Sequence, residues 1–109
     1  MPLHPYLQAF ADAMTAAGRP AMSGGTVEDA RARSRQLAER IGAGPQVSRV
    51  EELSIPGRGG DIPARLLAAE APEAVVLYLH GGGWTIGSMN EWDALARTFA
   101  NALPAAVVL

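Results

Sequence analysis

The residues best suited to chemistry in this 109-residue sequence are His80-Gly81-Gly82-Gly83-Trp84, which follow a run of large apolar residues. Glycine supplies no side chain and costs backbone entropy on folding, so three in succession need a reason. In a loop between a strand and a helix, free backbone N–H groups can bind an anion. The motif therefore indicates an anion-binding loop. The simpler alternative is that the glycines only permit a tight turn.

A phosphate group is a poor fit to this loop. Gly82 and Gly87 have the outer spacing of a phosphate-binding loop, but Ser88 stands where the lysine must follow. A dinucleotide fingerprint that begins at Gly81 would need a glycine where Ile86 stands. The remaining candidate is the oxyanion that forms during acyl transfer, which preorganised N–H donors stabilise.

The elements on either side of the loop predict a parallel sheet. The continuous apolar run Val75–Leu79 predicts a central strand that is buried on both faces. Apolar residues then recur at helical spacing, which predicts a helix over about 91–102, and Ala105–Leu109 begin another apolar strand. Because a strand-helix-strand crossover joins parallel strands, the two apolar strands are expected to pair in parallel.

Two helices and a hairpin are predicted before the loop. Apolar residues at helical spacing over 3–14 predict a helix that packs on a core, with a mobile flap as the alternative. Thr26 is a predicted N-cap for a helix over Val27–Ile41. The arginines of that helix indicate a solvated face rather than a phosphate site; they are Arg31, Arg33, Arg35 and Arg40. Alternating apolar residues over 47–55 and 62–67 predict two antiparallel strands.

Composition narrows the function classes. The chain has no cysteine, a net charge of −2 and 49% hydrophobic residues, which favours an ordinary globular domain and no nucleic-acid partner. His4 and His80 have no ligand-like spacing, so neither a metal nor a cofactor is expected. The N-terminus lacks a basic region before an apolar core, and the default expectation is a cytoplasmic protein without a membrane span.

The HGGGW motif, with Gly87-Ser88 and Asp93 after it, resembles the hormone-sensitive-lipase family of α/β-hydrolase esterases. The resemblance covers most of the chain. It implies an α/β fold in which residues 1–45 form an N-terminal helical cap segment. Residues 46–109 would form the first part of the α/β-hydrolase core: the hairpin, a strand, the oxyanion loop, a helix and the start of the next strand.

The resemblance also assigns roles to the loop residues. Gly82 and Gly83 are expected to furnish oxyanion-hole amides, and Gly81 is the next candidate. His80 is expected to position the loop by hydrogen bonding and not to be the catalytic histidine. Trp84 would line an acyl or alcohol pocket, although a tryptophan at such a position is more often simply packed.

The catalytic triad of that family is absent from these 109 residues. The nearest match to its G-x-S-x-G elbow, Ala21-Met22-Ser23-Gly24-Gly25, begins with alanine and follows a helix instead of a strand. The sequence thus predicts an incomplete hydrolase whose remainder lies on the same or a separate polypeptide, acting on a small-molecule ester; a homodimer stays open. The alternative is a non-catalytic relative or small-molecule binding module with the same fold.

Overall fold

A computed structural model describes residues 2–18 and 24–109. The elements run in the predicted order: α1 (Pro5–Ala16), α2 (Val27–Ile41), β1 (Arg49–Ile55), β2 (Ile62–Ala68), β3 (Ala74–Leu77), α3 (Met89–Ala102) and β4 (Ala105–Val108). The elbow-like sequence that begins at Ala21 has Ser23 outside the described residues, so its conformation is not described.

The two N-terminal helices differ in how they are fixed. In α2 the Thr26 side chain accepts a hydrogen bond from the Asp29 N–H, and the Asp29 side chain accepts one from the Thr26 N–H, which is a complete capping box. Helix α1 contains no buried residue, and Tyr6 and Phe10 are exposed. The prediction that α1 packs on a core is therefore wrong for this chain, because no other described element covers its apolar face.

The sheet has the strand order β1-β2-β4-β3. Strands β1 and β2 form a regular antiparallel hairpin from Arg49↔Ala68 to Ile55↔Ile62. Strand β4 pairs antiparallel with β2 and parallel with β3. The predicted hairpin and the predicted parallel pairing are both confirmed.

The predicted place of β3 in the sheet is wrong for this chain. Strand β3 lies at the edge of the described sheet, and the central position beside it belongs to β4. Val76 packs against the core, whereas Val75 and Leu77 on the opposite face are 76% and 66% exposed. The strand is partly buried on one face only, where Val76 packs against the core, and no described element covers the other face.

The core lies between α3 and the sheet. Ala96 and Ala100 are fully buried, as are Leu67 of β2 and Val107 of β4. Because the two alanines are four residues apart, they lie on one face of α3 and let its backbone approach the strands closely. This close packing fixes where α3 begins relative to the end of β3.

An ionic network ties the same helix to the hairpin. The Arg65 guanidinium is 2.8 Å from the Asp93 carboxylate and 2.5 Å from that of Glu52, and Arg97 also pairs with Asp93. Burial acts to lower the pKa of Arg65, but the hydrogen bonds that it donates to Asp93 and Glu52, with their negative charges, outweigh this effect and raise the pKa. Arg65 therefore stays charged, and β2 and α3 are joined by polar as well as apolar contacts.

Candidate active site

The glycine loop starts from a strand end that aromatic contacts hold against α3. Beyond β3, the Tyr78 N–H donates to the Val108 carbonyl at 2.8 Å. The Tyr78 ring lies 5.9 Å from the Trp92 ring and 5.8 Å from the Phe99 ring, centroid to centroid. The His80 imidazole stacks on Trp92 at 6.3 Å. Tyr78 and His80 are two residues apart in an extended segment and so face the same helix.

His80 also contacts the first glycine of the loop. Its Nδ1 lies 2.9 Å from the carbonyl oxygen of Gly81. A carbonyl can only accept, so this contact requires the proton on Nδ1. The arrangement supports the predicted positioning role of His80, since the ring is held by Trp92 on its face and by the loop at its edge.

Residues 82–86 form one tight turn. The carbonyl oxygen of Gly82 accepts from the Thr85 N–H at 3.1 Å and from the Ile86 N–H at 3.0 Å. The Thr85 hydroxyl donates to the Gly83 carbonyl at 3.1 Å. The carbonyl groups of the loop glycines are therefore engaged within the loop itself.

The first three amides of the turn are not engaged in this way. Among the described residues, the N–H groups of Gly82, Gly83 and Trp84 donate no hydrogen bond. The first amides of any helical turn lack partners inside the turn, and such groups bind anions. The assignment of Gly82 and Gly83 to an oxyanion hole stays a prediction, and the Trp84 amide, which the sequence did not single out, is a further donor without a partner among the described residues.

Two backbone positions explain the need for glycine. Gly82 has φ of +142°, and a Cβ there would lie 1.8 Å from the Ile86 carbonyl oxygen. Gly83 has φ of +57°, in the left-handed region that glycine adopts without steric cost. Trp84 shares that region with φ of +56°, which is uncommon for a bulky residue and marks a strained position.

The Trp84 side chain is fully exposed. It lines a shallow depression of about 350 Å³ together with His80, Ile86 and the three glycines. The alternative that Trp84 is simply packed is therefore wrong for this chain. Its assignment to an acyl or alcohol pocket stays a prediction.

A second and larger cleft shares Gly81, Gly82 and Ile86 with this depression. It has a volume of about 500 Å³ and is bounded by α2, α3 and the loop. Leu37 and Ile41 of α2, Leu95 of α3, and Gly81 and Gly82 are among its lining residues. The lining is mainly apolar, which suits a hydrocarbon group better than a charged one.

The α2 arginines lie mainly on a solvated face, as predicted: Arg31, Arg35 and Arg40 are exposed and Arg33 is half-buried. The Nε of Arg31 donates to the Thr85 carbonyl at 2.9 Å, and Arg33 donates to the Gly24 carbonyl. Both contacts join residues of α2 to loop backbone. The contact of Arg31 spans 54 residues of sequence, and no spacing pattern in a single sequence marks such a pair.

A second polar link joins α2 to the start of α3. Ser34 donates to one carboxylate oxygen of Glu91, and Ser88 donates to the other at 3.0 Å. Ser88 precedes the first residue of α3, where its side chain makes no capping bond to the helix backbone. Glu91 thus connects α2 with the exit of the glycine loop.

Comparison with known proteins gives a consistent result. The sequence profile of a family described as the alpha/beta hydrolase fold matches residues 76–109. The carboxylic ester hydrolase LipN of Mycobacterium tuberculosis is 43% identical over 70 residues, which are 62% of this chain and 18% of LipN. The carboxylesterase NlhH of the same organism is 40% identical over 87 residues, which are 75% of this chain and 27% of NlhH.

A solved structure covers nearly the whole chain. A hyperthermophilic esterase from the archaeon Pyrobaculum calidifontis is 34% identical and superposes with a TM-score of 0.82. Over most of its length this chain is similar to the hormone-sensitive-lipase-like esterases of the α/β-hydrolase fold. Its fold is that of the N-terminal part of an α/β hydrolase.

The chain is much shorter than these relatives. It spans 27% of NlhH, while the superposition covers 99% of this chain and 36% of the archaeal esterase. Within residues 2–18 and 24–109, none of the helices combines the length and the apolar content that a membrane crossing requires.

Proposed function

We propose that this chain supplies the oxyanion-hole loop and the cap segment of a serine carboxylic-ester hydrolase that acts on small to medium acyl esters. The observation that carries the proposal is the turn over residues 82–86, in which the Gly82 and Gly83 carbonyls accept hydrogen bonds while, among the described residues, the amides of Gly82, Gly83 and Trp84 donate none. The names of LipN and NlhH as ester hydrolases support the same reaction class.

The proposed role of the loop follows from the charge that acyl transfer creates. Attack on an ester carbonyl converts its oxygen into an oxyanion, and N–H donors about 3 Å away lower the barrier. Gly82 and Gly83 are the proposed donors, with Gly81 as a further candidate. His80 would hold the loop through the Gly81 carbonyl, which lies 2.9 Å from Nδ1. No metal or cofactor has a part in this chemistry.

The proposed binding of an ester is inferred from the shape and polarity of the cleft and the depression beside the loop. The cleft beside α2 is apolar and bordered by Gly81 and Gly82, so a hydrocarbon group held there would lie next to the loop amides. The exposed Trp84 borders the depression, which shares Gly81 and Gly82 with the cleft. Two neighbouring spaces suit the acyl and alcohol parts of an ester.

The nucleophile must come from outside these residues. The 109 residues contain no G-x-S-x-G sequence. In α/β hydrolases the residue after the nucleophile also donates one oxyanion-hole N–H. The proposed chain therefore contributes one side of the site, and polypeptide beyond these residues contributes the serine, the acid, the histidine and the remaining donor.

A chimera tests the proposal directly. The 109 residues are fused to the part of NlhH that they do not match, and hydrolysis of p-nitrophenyl butyrate is measured. We expect hydrolysis that a serine-directed phosphonate abolishes, and none from the 109 residues alone. A chimera that melts cooperatively but hydrolyses no faster than its phosphonate-treated form would contradict the proposal.

A further inference from the structure

Helix α2 is fastened to both ends of the segment that leads from the glycine turn into α3. At one end Arg31 donates to the Thr85 carbonyl at 2.9 Å, and at the other Ser34 donates to Glu91. Residues 31 and 34 are three apart and so lie on one face of α2. The position of α2 is thereby tied to the segment that closes the loop.

The Arg31 contact leads directly to one of the free amides. The Thr85 carbonyl and the Ile86 N–H belong to one planar peptide unit, so fixing the first fixes the second. That N–H donates to the Gly82 carbonyl at 3.0 Å. The Gly82 carbonyl in turn shares a planar peptide unit with the Gly83 N–H. Two peptide units therefore connect the guanidinium in series with the amide of Gly83.

This series of hydrogen bonds and peptide units affects both the orientation and the donor strength of the Gly83 N–H. Each bond restricts rotation of the next peptide plane, so the Gly83 N–H is held in one orientation. Hydrogen bonds in a chain also polarise one another, and a cation at the head of the chain strengthens the donor at its end. The Thr85 hydroxyl braces the same turn through the Gly83 carbonyl.

We propose that Arg31 is a positioning residue for the oxyanion hole and acts through the peptide units 85–86 and 82–83. This inference rests on the proposed function, because it assigns the Gly83 amide to an oxyanion. A displacement of the cap helix α2 would therefore change the orientation of the Gly83 N–H. Arg31 itself touches neither the ester nor the nucleophile.

The test compares Arg31→Ala and Arg31→Lys with Arg35→Ala in the chimera. Arg35 is an exposed arginine on the same helix and serves as the matched control. For Arg31→Ala we expect kcat to fall about tenfold with little change in KM, which is less than the loss of a whole donor, roughly 10²–10³. Lysine keeps the charge and a donor, so Arg31→Lys should recover part of the loss.

The inhibition constant of a trifluoromethyl ketone distinguishes a positioning role of Arg31 from a purely structural one. The serine oxygen adds to the ketone carbon and passes its proton to the histidine, and the ketone oxygen becomes an alkoxide that needs the oxyanion donors. We expect Arg31→Ala to raise the inhibition constant by the same factor of about ten that lowers kcat. A lower melting temperature with an unchanged inhibition constant would overturn the inference.

The amide of Gly83 supplies a readout that does not depend on activity. In the ¹⁵N-labelled chimera, Arg31→Ala should shift the Gly83 amide proton upfield, because the chain of hydrogen bonds loses its cation. Arg35→Ala should leave that resonance in place. An unmoved Gly83 resonance in Arg31→Ala would refute the relay, whereas an inactive but folded parent chimera would instead refute the proposed function.

Discussion

At the scale of single residues, the loop depends on backbone conformations that residue types indicate only in part. Gly82 and Gly83 both have positive φ values, but a Cβ would clash only at Gly82, where it would lie 1.8 Å from the Ile86 carbonyl oxygen. The left-handed conformation of Trp84 was not predictable, because a bulky residue there goes against intrinsic preference. The Trp84 amide consequently escaped the sequence analysis.

Gly81 and Gly82 should respond differently to alanine. Gly82→Ala places a Cβ 1.8 Å from the Ile86 carbonyl oxygen, so we expect both the melting temperature and kcat of the chimera to fall. Gly81→Ala meets no atom within 4 Å and should leave the melting temperature unchanged. Thermal melts of the two variants check this, and equal stabilities would show that the turn is not closed as described.

Trp84 should be a position where glycine stabilises. Its side chain is fully exposed and loses little packing when removed, while φ of +56° strains any residue except glycine. We expect Trp84→Gly to be more stable than Trp84→Ala by about 1 kcal/mol. Chemical denaturation of the two variants measures the difference, and a less stable glycine variant would contradict the strain.

At the scale of elements, the sequence predicted the type and order of the helices and strands correctly. It did not predict which of their faces other elements cover. Periodicity and caps located α2, α3 and the hairpin, because these signals are local. Whether an apolar face is covered depends on partners distant in sequence. The predictions that β3 is buried on both faces and that the apolar face of α1 is buried are therefore wrong. The predicted parallel pairing of β3 with β4 is correct.

The capping box of α2 should make this helix sensitive to acid. Hydrogen bonds from the Thr26 backbone and side chain hold the pKa of Asp29 below its ordinary value. A lowered folded-state pKa contributes stability above the unfolded value of about 3.9, and that contribution is lost as the pH falls through the folded value.

We therefore expect wild-type α2 to lose helicity below about pH 4, in the range where Asp29 takes up its proton. Asp29→Asn should lack this component and start from a lower helicity at neutral pH, because the amide caps without a charge. Circular dichroism at 222 nm between pH 6 and pH 2 follows both proteins. Profiles of identical shape would show that Asp29 does not govern the helix.

At the scale of the whole molecule, the prominent feature is the apolar face of the sheet opposite α3. Val75, Leu77 and the following Leu79 point to this face and are exposed by 66–81%. An exposed apolar sheet face of this kind favours association. We predict that the isolated 109 residues self-associate, and that Leu77→Lys with Leu79→Lys reduces the association.

Sedimentation velocity over a range of concentrations measures this association. The matched control is Leu37→Lys, which changes an exposed leucine on α2 away from the sheet. We expect the control to associate like the wild type. A wild-type chain that stays monomeric at all concentrations, or a control that disperses as well as the double variant, would show that the sheet face is not responsible.

The central claim is that the Gly83 N–H serves an oxyanion and not only the turn. Chemical ligation can replace this amide by an ester in the chimera, which removes the donor without adding a side chain. The matched change at Ile86 removes instead the N–H that donates to the Gly82 carbonyl at 3.0 Å. We expect kcat to fall on the order of 10²–10³ for the Gly83 ester and only about tenfold for the Ile86 ester, at comparable melting temperatures. Equal kcat values for the two esters would contradict an oxyanion role of the Gly83 N–H.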